Sequence, residues 1–402
     1  MADAADPAPV GRHLPRALGF IIAVGPVSVD MYLPAFTVIG QRFGAGAPQL
    51  SLAAYYAGLA VGQIAQGLLS DRFGRRLPLA AGLVLYTAAS LGCAAAQGTG
   101  GFCLFRALAA FGAAASIVAP RAIVGDVATG AAEAVLMSDV MKIMSIAPVV
   151  APGLGSLVLL VADWRAIFIV AALYGVAGLA VLFRALPETL PPARRSRAAL
   201  LPSLRGYGTM LAEPGFLSNA LIGAYGMCAL FAYLAGAPTV FMQNYGVRQW
   251  QFGAILAAIG LAMIGFYRIN SFLVAARGLN LAGSRAVSLG IVLWLVAGLW
   301  LLDLALVPPR GSVWLVLALL CFSCGYSFIQ SNSPIEARRR HKARIGAATA
   351  LMSTMQYTGG AVAGVLVGRF ADGTAKPMAS IILVCAIAAA TAALLRPRDA
   401  TL

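Results

Sequence analysis

Long apolar runs separated by short polar or Gly/Pro-rich breaks set the pattern of this chain. A helix rises about 1.5 Å per residue, so about 20 mostly apolar residues cross a hydrocarbon core. That ruler predicts twelve spanning helices, over 17–39, 50–70, 77–97, 101–124, 136–160, 166–186, 215–240, 249–276, 282–304, 311–333, 345–368 and 377–395. The expected fold is therefore an all-α membrane protein. The longest break, Leu186 to Glu213, carries Pro187-Glu188-Thr189-Leu190-Pro191-Pro192 and scattered arginines, and it divides the helices six and six. The expected organisation is an N-terminal half over 1–186 with a short cytoplasmic N-terminus, a cytoplasmic linker over 187–213 and a C-terminal half over 214–402. Equal halves joined by a basic linker are what a duplicated transporter presents.

Composition agrees with the pattern. Of 402 residues 60% are hydrophobic and 11% charged, against about 25% charged in soluble domains. The net charge of +15 would suggest nucleic acid in a soluble protein, but here the basic residues cluster between apolar runs. With the N-terminus inside, nineteen Lys and Arg fall in inner segments and six in outer ones, which places both termini in the cytoplasm and leaves no call for a nucleic-acid partner. The six cysteines lie in or beside apolar runs, where such thiols act as small hydrophobes. Only His13 and His341 are histidines, so neither haem pairs nor a metal set is expected, and no cofactor. The first apolar run has no small-residue cleavage site and is expected to stay as a helix.

Charges inside the apolar runs carry the candidate chemistry. Asp30 stands about twelve residues into the first span, roughly 18 Å along it. A carboxylate near mid-membrane costs about 2.5 to 3.5 kcal/mol, so it should face a cavity and serve as a proton-coupling group. Arg106 in the fourth span is its expected partner; the alternatives are an Asp30 held permanently neutral by Arg106, or an Arg106 that snorkels outward. Arg121 and Asp126 close the inner end of the fourth span and are expected to gate, with Asp126 accepting Arg75. Lys142 is expected to snorkel, and Arg268 to snorkel or gate.

The sharpest motif lies between the second and third spans: Gly67, Asp71, Arg72, Gly74, Arg75 and Arg76 in ten residues. Orientation alone would need only positive charge there. The fixed order instead suits a tight turn at Gly74, with Asp71 at a helix N-terminus and the arginines on carbonyls or carboxylates. This loop resembles the signature of the major facilitator superfamily. Ser28-Val29-Asp30-Met31-Tyr32-Leu33-Pro34-Ala35 is similar to the first-helix signature of its Bcr/CflA drug:proton antiporters, the bicyclomycin and chloramphenicol resistance type. Ala147-Pro148-Val149-Val150-Ala151-Pro152-Gly153-Leu154-Gly155 resembles the antiporter motif of proton-driven exporters, and Asp163 to Phe168, Leu186 to Pro191, Phe231-Ala232-Tyr233 and Ala237-Pro238 continue the likeness. In the fourth span Ala109 stands where the family has Gln, which removes a polar group near the centre.

The resemblance implies a major facilitator fold in a bacterial inner membrane, working as a monomer. It also implies that the kink at Ala147, Pro148, Ala151, Pro152, Gly153 and Gly155 seals the cavity against proton leak; tight helix packing accounts for the same residues. Tyr32, Tyr55, Tyr56, Tyr225, Phe231, Tyr233 and Tyr357 are candidates to line an aromatic substrate cavity. The expected function is proton-coupled efflux of small amphipathic drug-like molecules across the bilayer. The alternatives are export of a native metabolite, such as an amino-acid or sugar derivative, and a transport-dead sensor or scaffold. No paired catalytic groups point to an enzyme. With one mid-membrane acid, neutral or zwitterionic substrates should be preferred over dications.

Overall fold

A computed structural model describes residues 13–44, 46–128, 131–144, 146–195, 208–276, 284–307, 311–338 and 345–394. Among the basic residues counted above, Arg12, Arg197, Arg205, Arg277, Arg310, Arg339, Arg340, Lys342, Arg344, Arg396 and Arg398 lie outside the described residues. Among those described there is no strand, and the helices follow the predicted spans. They are α1 (Leu14–Phe43, in segments), α2 (Ala47–Phe73), α3 (Arg76–Ala95), α4 (Thr99–Val127), α5 (Ala131–Met144 and Ala147–Val161) and α6 (Arg165–Ala185). The second six are α7 (Pro214–Pro238, running on as a π turn through Asn244), α8 (Gln249–Ala276), α9 (Ser284–Leu306), α10 (Ser312–Arg338), α11 (Ile345–Arg369) and α12 (Lys376–Leu394).

Eleven of these are long and apolar enough to cross a membrane, not the twelve expected. The exception is α11, 25 residues long and in the predicted place. Ser353, Thr354, Gln356, Tyr357 and Thr358 dilute its apolarity because it packs in the protein interior, against α2 and α7. On the outward faces of the others, Leu160, Val161, Leu173, Phe183, Leu299 and Leu394 are exposed, the apolar surface that lipid covers.

Within the first six helices α2 packs along α4, α3 on α4 and α6, and the first segment of α5 on α1; within the second six, α7 packs on α10, α11 and α12, and α9 on α10 and α12. Across the two sets α2 lies on α11, and the second segment of α5 on α8. The crossing is tight at the end away from the arginine-rich loops. A Cβ added to Gly368 of α11 would sit 3.2 Å from that of Gln49 in α2, and one on Gly46 would sit 3.2 Å from the Gly368 carbonyl. At the same end Ser156 Oγ donates to the Gln249 carbonyl at 3.2 Å, tying α5 to α8.

Prolines break the helices where the site forms. Pro26 and Pro34 have no N–H for the carbonyls of Ile22 and Asp30, their partners four residues back. α1 accordingly turns at Ala23 and again at Met31–Tyr32 before a single 3₁₀ turn, Leu33–Ala35. Asp30 is the last residue of the segment Val24–Asp30.

Candidate functional site: a cavity between the two helix sets

A cavity of about 380 Å³ lies between the two helix sets, within the range of small-molecule sites. Its wall runs from Leu33, Pro152 and Tyr233 near the closed end to Arg121, Met144 and Tyr267 toward the arginine-rich end. The break in α1 presents Asp30 to it, half-buried and with no hydrogen bond or ion pair to the described residues.

Asp30 and Arg106, predicted as partners, do not pair. Arg106 is 1% exposed and sits behind α1 within the first six helices. Its Nη1 donates to the Ser28 carbonyl at 3.3 Å and to Ser28 Oγ at 3.4 Å, while Nε and Nη2 have no hydrogen-bond partner among the described residues. Three rings hold the charge instead: the guanidinium carbon lies 4.3 Å from the Tyr55 ring centre, 4.7 Å from Tyr32 and 5.8 Å from Phe168. Such desolvated cation–ring contacts contribute about 2 kcal/mol. Arg106 therefore neither neutralises Asp30 nor snorkels outward; depth along a helix gave its height but not its direction.

The aromatic candidates divide. Tyr56, Phe231, Tyr233 and Tyr357 line the cavity. Tyr56 of α2 stacks on Phe231 of α7 with centroids 3.5 Å apart, and Phe231 stacks on Tyr357 of α11 at 6.5 Å, so the three rings bridge the two sets. Tyr32 and Tyr55 pack on Arg106, the Tyr32 hydroxyl 2.7 Å from Ser51 Oγ. Tyr225 packs against the core and does not line the cavity. Sequence reasoning missed Tyr267, Tyr326, Met144, Met227 and Met263, which do. Of these, Tyr326 accepts from Gln330 Nε2 and lies 3.1 Å from Met227 Sδ; the signal in the sequence was the small polar residues Ser323, Ser327, Ser331, Asn332 and Ser333 along the same helix.

Pro148 and Pro152 of the antiporter motif line the cavity, and Ala147 and Ala151 are buried beside them. Gly155 abuts the Met31 carbonyl so closely that no side chain fits, which brings α5 against the broken part of α1. Gly153, like Gly67 of the loop motif, faces open space.

The loop motif builds a separate cluster at the arginine-rich end. Gly74 has φ +92°, the left-handed region that favours glycine, and the turn buries Arg75. Arg75 donates from Nε to Asp126 Oδ2 at 2.8 Å and from Nη2 to Asp126 Oδ1 at 3.2 Å, and from Nη1 to Asp71 at 2.6 Å and Ser70 at 3.1 Å. The predicted acceptance of Arg75 by Asp126 is present. Arg72 lies over Phe73 and Arg76 over Phe183, both at the surface. Two residues missed as functional complete the cluster. Glu188 accepts from the backbone N–H of Arg75 at 2.9 Å and of Arg76 at 3.2 Å, which caps α3 with negative charge. Thr189 donates to Asp126 at 2.8 Å. Burial pulls the Glu188 carboxyl upward, but the N–H groups of Arg75, Leu190 and Arg76, with the Arg195 charge, outweigh it and hold the group below its ordinary value. Arg121, predicted to gate beside Asp126, is absent from this cluster and lines the cavity. Lys142 is exposed and pairs with Asp139 at 2.8 Å, and Arg268 is exposed.

Long apolar helices around a cavity, with a charged turn at one end, are the arrangement of a membrane transporter. Residues 18–364 match the family Major Facilitator Superfamily, and the chain belongs to it. It is 31% identical over 386 residues to an uncharacterized MFS-type transporter of Bacillus subtilis, YdgK, covering 94% of each chain. It is 31% identical over 300 residues to a chloramphenicol resistance protein of Pseudomonas aeruginosa, covering 72% of this chain and 69% of that one. In fold it is similar to a bacterial homologue of the human lysosomal transporter Spinster in an inward-facing, occupied conformation, with TM-score 0.73 at 14% identity over 97% of this chain and 96% of that one.

Proposed function

We propose that this chain is a proton-coupled antiporter of a bacterial inner membrane that exports small amphipathic drug-like compounds by alternating access, working as a monomer with both termini cytoplasmic. The observation that carries this reading is Asp30, a carboxyl without a partner among the described residues, at the break in α1 on the wall of a largely apolar, aromatic cavity whose other charge is Arg121. A group so placed exchanges protons with whichever side the cavity opens to, and its charge biases the two orientations differently. Closure at the α2–α11 and α5–α8 crossings corresponds to the inward-facing arrangement, loaded from the cytoplasm. Residues 1–186 and 214–402 are the bodies that rock, joined by 187–213. The cluster at Asp71, Arg75, Asp126 and Glu188 controls their movement without touching substrate. The similarity to a chloramphenicol resistance protein supports a drug-like substrate.

Everted membrane vesicles test this. An acid-inside gradient should accumulate radiolabelled chloramphenicol, dissipating the gradient should release it, and Asp30→Asn should abolish accumulation at equal expression. Equal gradient-driven accumulation by the Asn variant would remove Asp30 from the mechanism.

A further inference from the structure

The cavity holds a second charge that proton coupling at Asp30 does not use. Arg121 of α4 lines it, and none of the ion pairs among the described residues includes Arg121 or Asp30. Their separation follows from helix geometry. Gly25 of α1 faces Ile117 of α4, close enough that an added Cβ would lie 3.5 Å from the Ile117 side chain. The two helices run in opposite directions, so one turn toward the arginine-rich end brings Ile22 level with Arg121. Asp30 lies eight residues the other way from Ile22, roughly 12 Å along the axis.

Each pole has its own chemistry. Near Asp30 the hydroxyls of Tyr56 and Tyr233 are buried, border the same cavity and have no hydrogen-bond partner among the described residues, and both feel the Asp30 charge. At the other pole the Arg121 charge acts on Tyr357. Between them the wall is apolar, with Leu230, Ile259 and Met263.

We propose that the cavity binds zwitterionic amphiphiles lengthwise, the ammonium at Asp30, Tyr56 and Tyr233 and the carboxylate at Arg121. This rests on the export reading of the same cavity. With Asp30 ionised, the empty site sums to zero charge, and a zwitterion leaves it at zero with both poles paired. A monocation leaves Arg121 uncompensated in a low-dielectric wall, and a dication adds a further unpaired charge. A proton arriving at Asp30 then competes with the ammonium alone, loosening one pole while the other holds.

Three probes with one aromatic body decide it: ciprofloxacin, with ammonium and carboxylate at opposite ends, its methyl ester and its N-acetyl derivative. Binding to the purified full chain is measured by calorimetry. The wild type should bind the zwitterion at least about tenfold more tightly than either single-charge form. Arg121→Gln should erase the preference over the ester, and Arg121→Lys should keep most of it. A wild type that binds the ester as well as the zwitterion overturns the assignment by itself, whether or not a variant folds; so does a preference that survives in Arg121→Gln. Gradient-driven chloramphenicol uptake by the same wild-type preparation separates the two readings. Uptake without the preference overturns the two-pole site alone, and the preference without uptake overturns the export reading alone.

Discussion

At the residue scale, charges in the membrane interior are placed by what their side chains can reach. Arg106 reaches three aromatic faces and one carbonyl, not a carboxylate. A flat guanidinium stacks on such faces and a lysine ammonium does not do so equally. Arg106→Lys should therefore lower the stability of the purified protein by about 1–2 kcal/mol, read as an earlier thermal unfolding transition; an unchanged transition would show that the rings contribute nothing. Asp30 was legible in the sequence because a lone acid in a long apolar run has few uses. Its separation from Arg106 was not, since helix position fixes height and leaves rotation to packing. The same blindness left Arg121's place on the cavity wall unseen, and admitted Tyr32 and Tyr55 while passing over Tyr267 and Tyr326.

At the element scale, the helices were legible because apolar length is a coarse signal and the prolines of α5 announce its kink; the breaks in α1 at Ala23 and Met31–Tyr32 were not anticipated, although Pro26 and Pro34 carry them. The exception in apolarity, α11, lies where interior packing relaxes the need for apolar faces. The loop motif was legible as a turn with paired charges, but Asp71, expected at a helix N-terminus, lies in the last turn of α2 and pairs with Arg75; the N-terminus of α3 is taken by Glu188, which with Thr189 reaches Arg75 and Asp126 from more than sixty residues away. Arg75→Ala should slow single-turnover transport by about tenfold or more while leaving equilibrium substrate binding within a factor of a few; a sharp loss of binding with turnover preserved would contradict the latch. Glu188→Gln should act in the same direction and more weakly. Because the folded Glu188 carboxyl lies below the ordinary 4.5, its contribution is present above that pH and lost as pH falls through the depressed value. The thermal transition should fall less steeply on acidification in Glu188→Gln than in the wild type.

At the scale of the whole molecule, two helix sets touch at one end and enclose a cavity that extends toward the other. The proposed alternating access has the α2–α11 crossing separate. The Gln49 and Gly368 positions, whose Cβ atoms would lie 3.2 Å apart, are near the span of a disulfide. Gln49→Cys with Gly368→Cys should therefore stop transport on oxidation and regain it with reductant, and transport that continues through a complete cross-link would rule out opening at that crossing. The side on which the two sets meet was not legible in the sequence, because apolar length gives a helix's span and not its neighbours. The central claim is that Asp30 carries the proton that substrate displaces. Its most direct measurement is proton release from the detergent-solubilised protein in weakly buffered solution when chloramphenicol is added. The wild type is expected to release protons with a saturable dose dependence and Asp30→Asn to release none; release of the same size from Asp30→Asn would contradict the account.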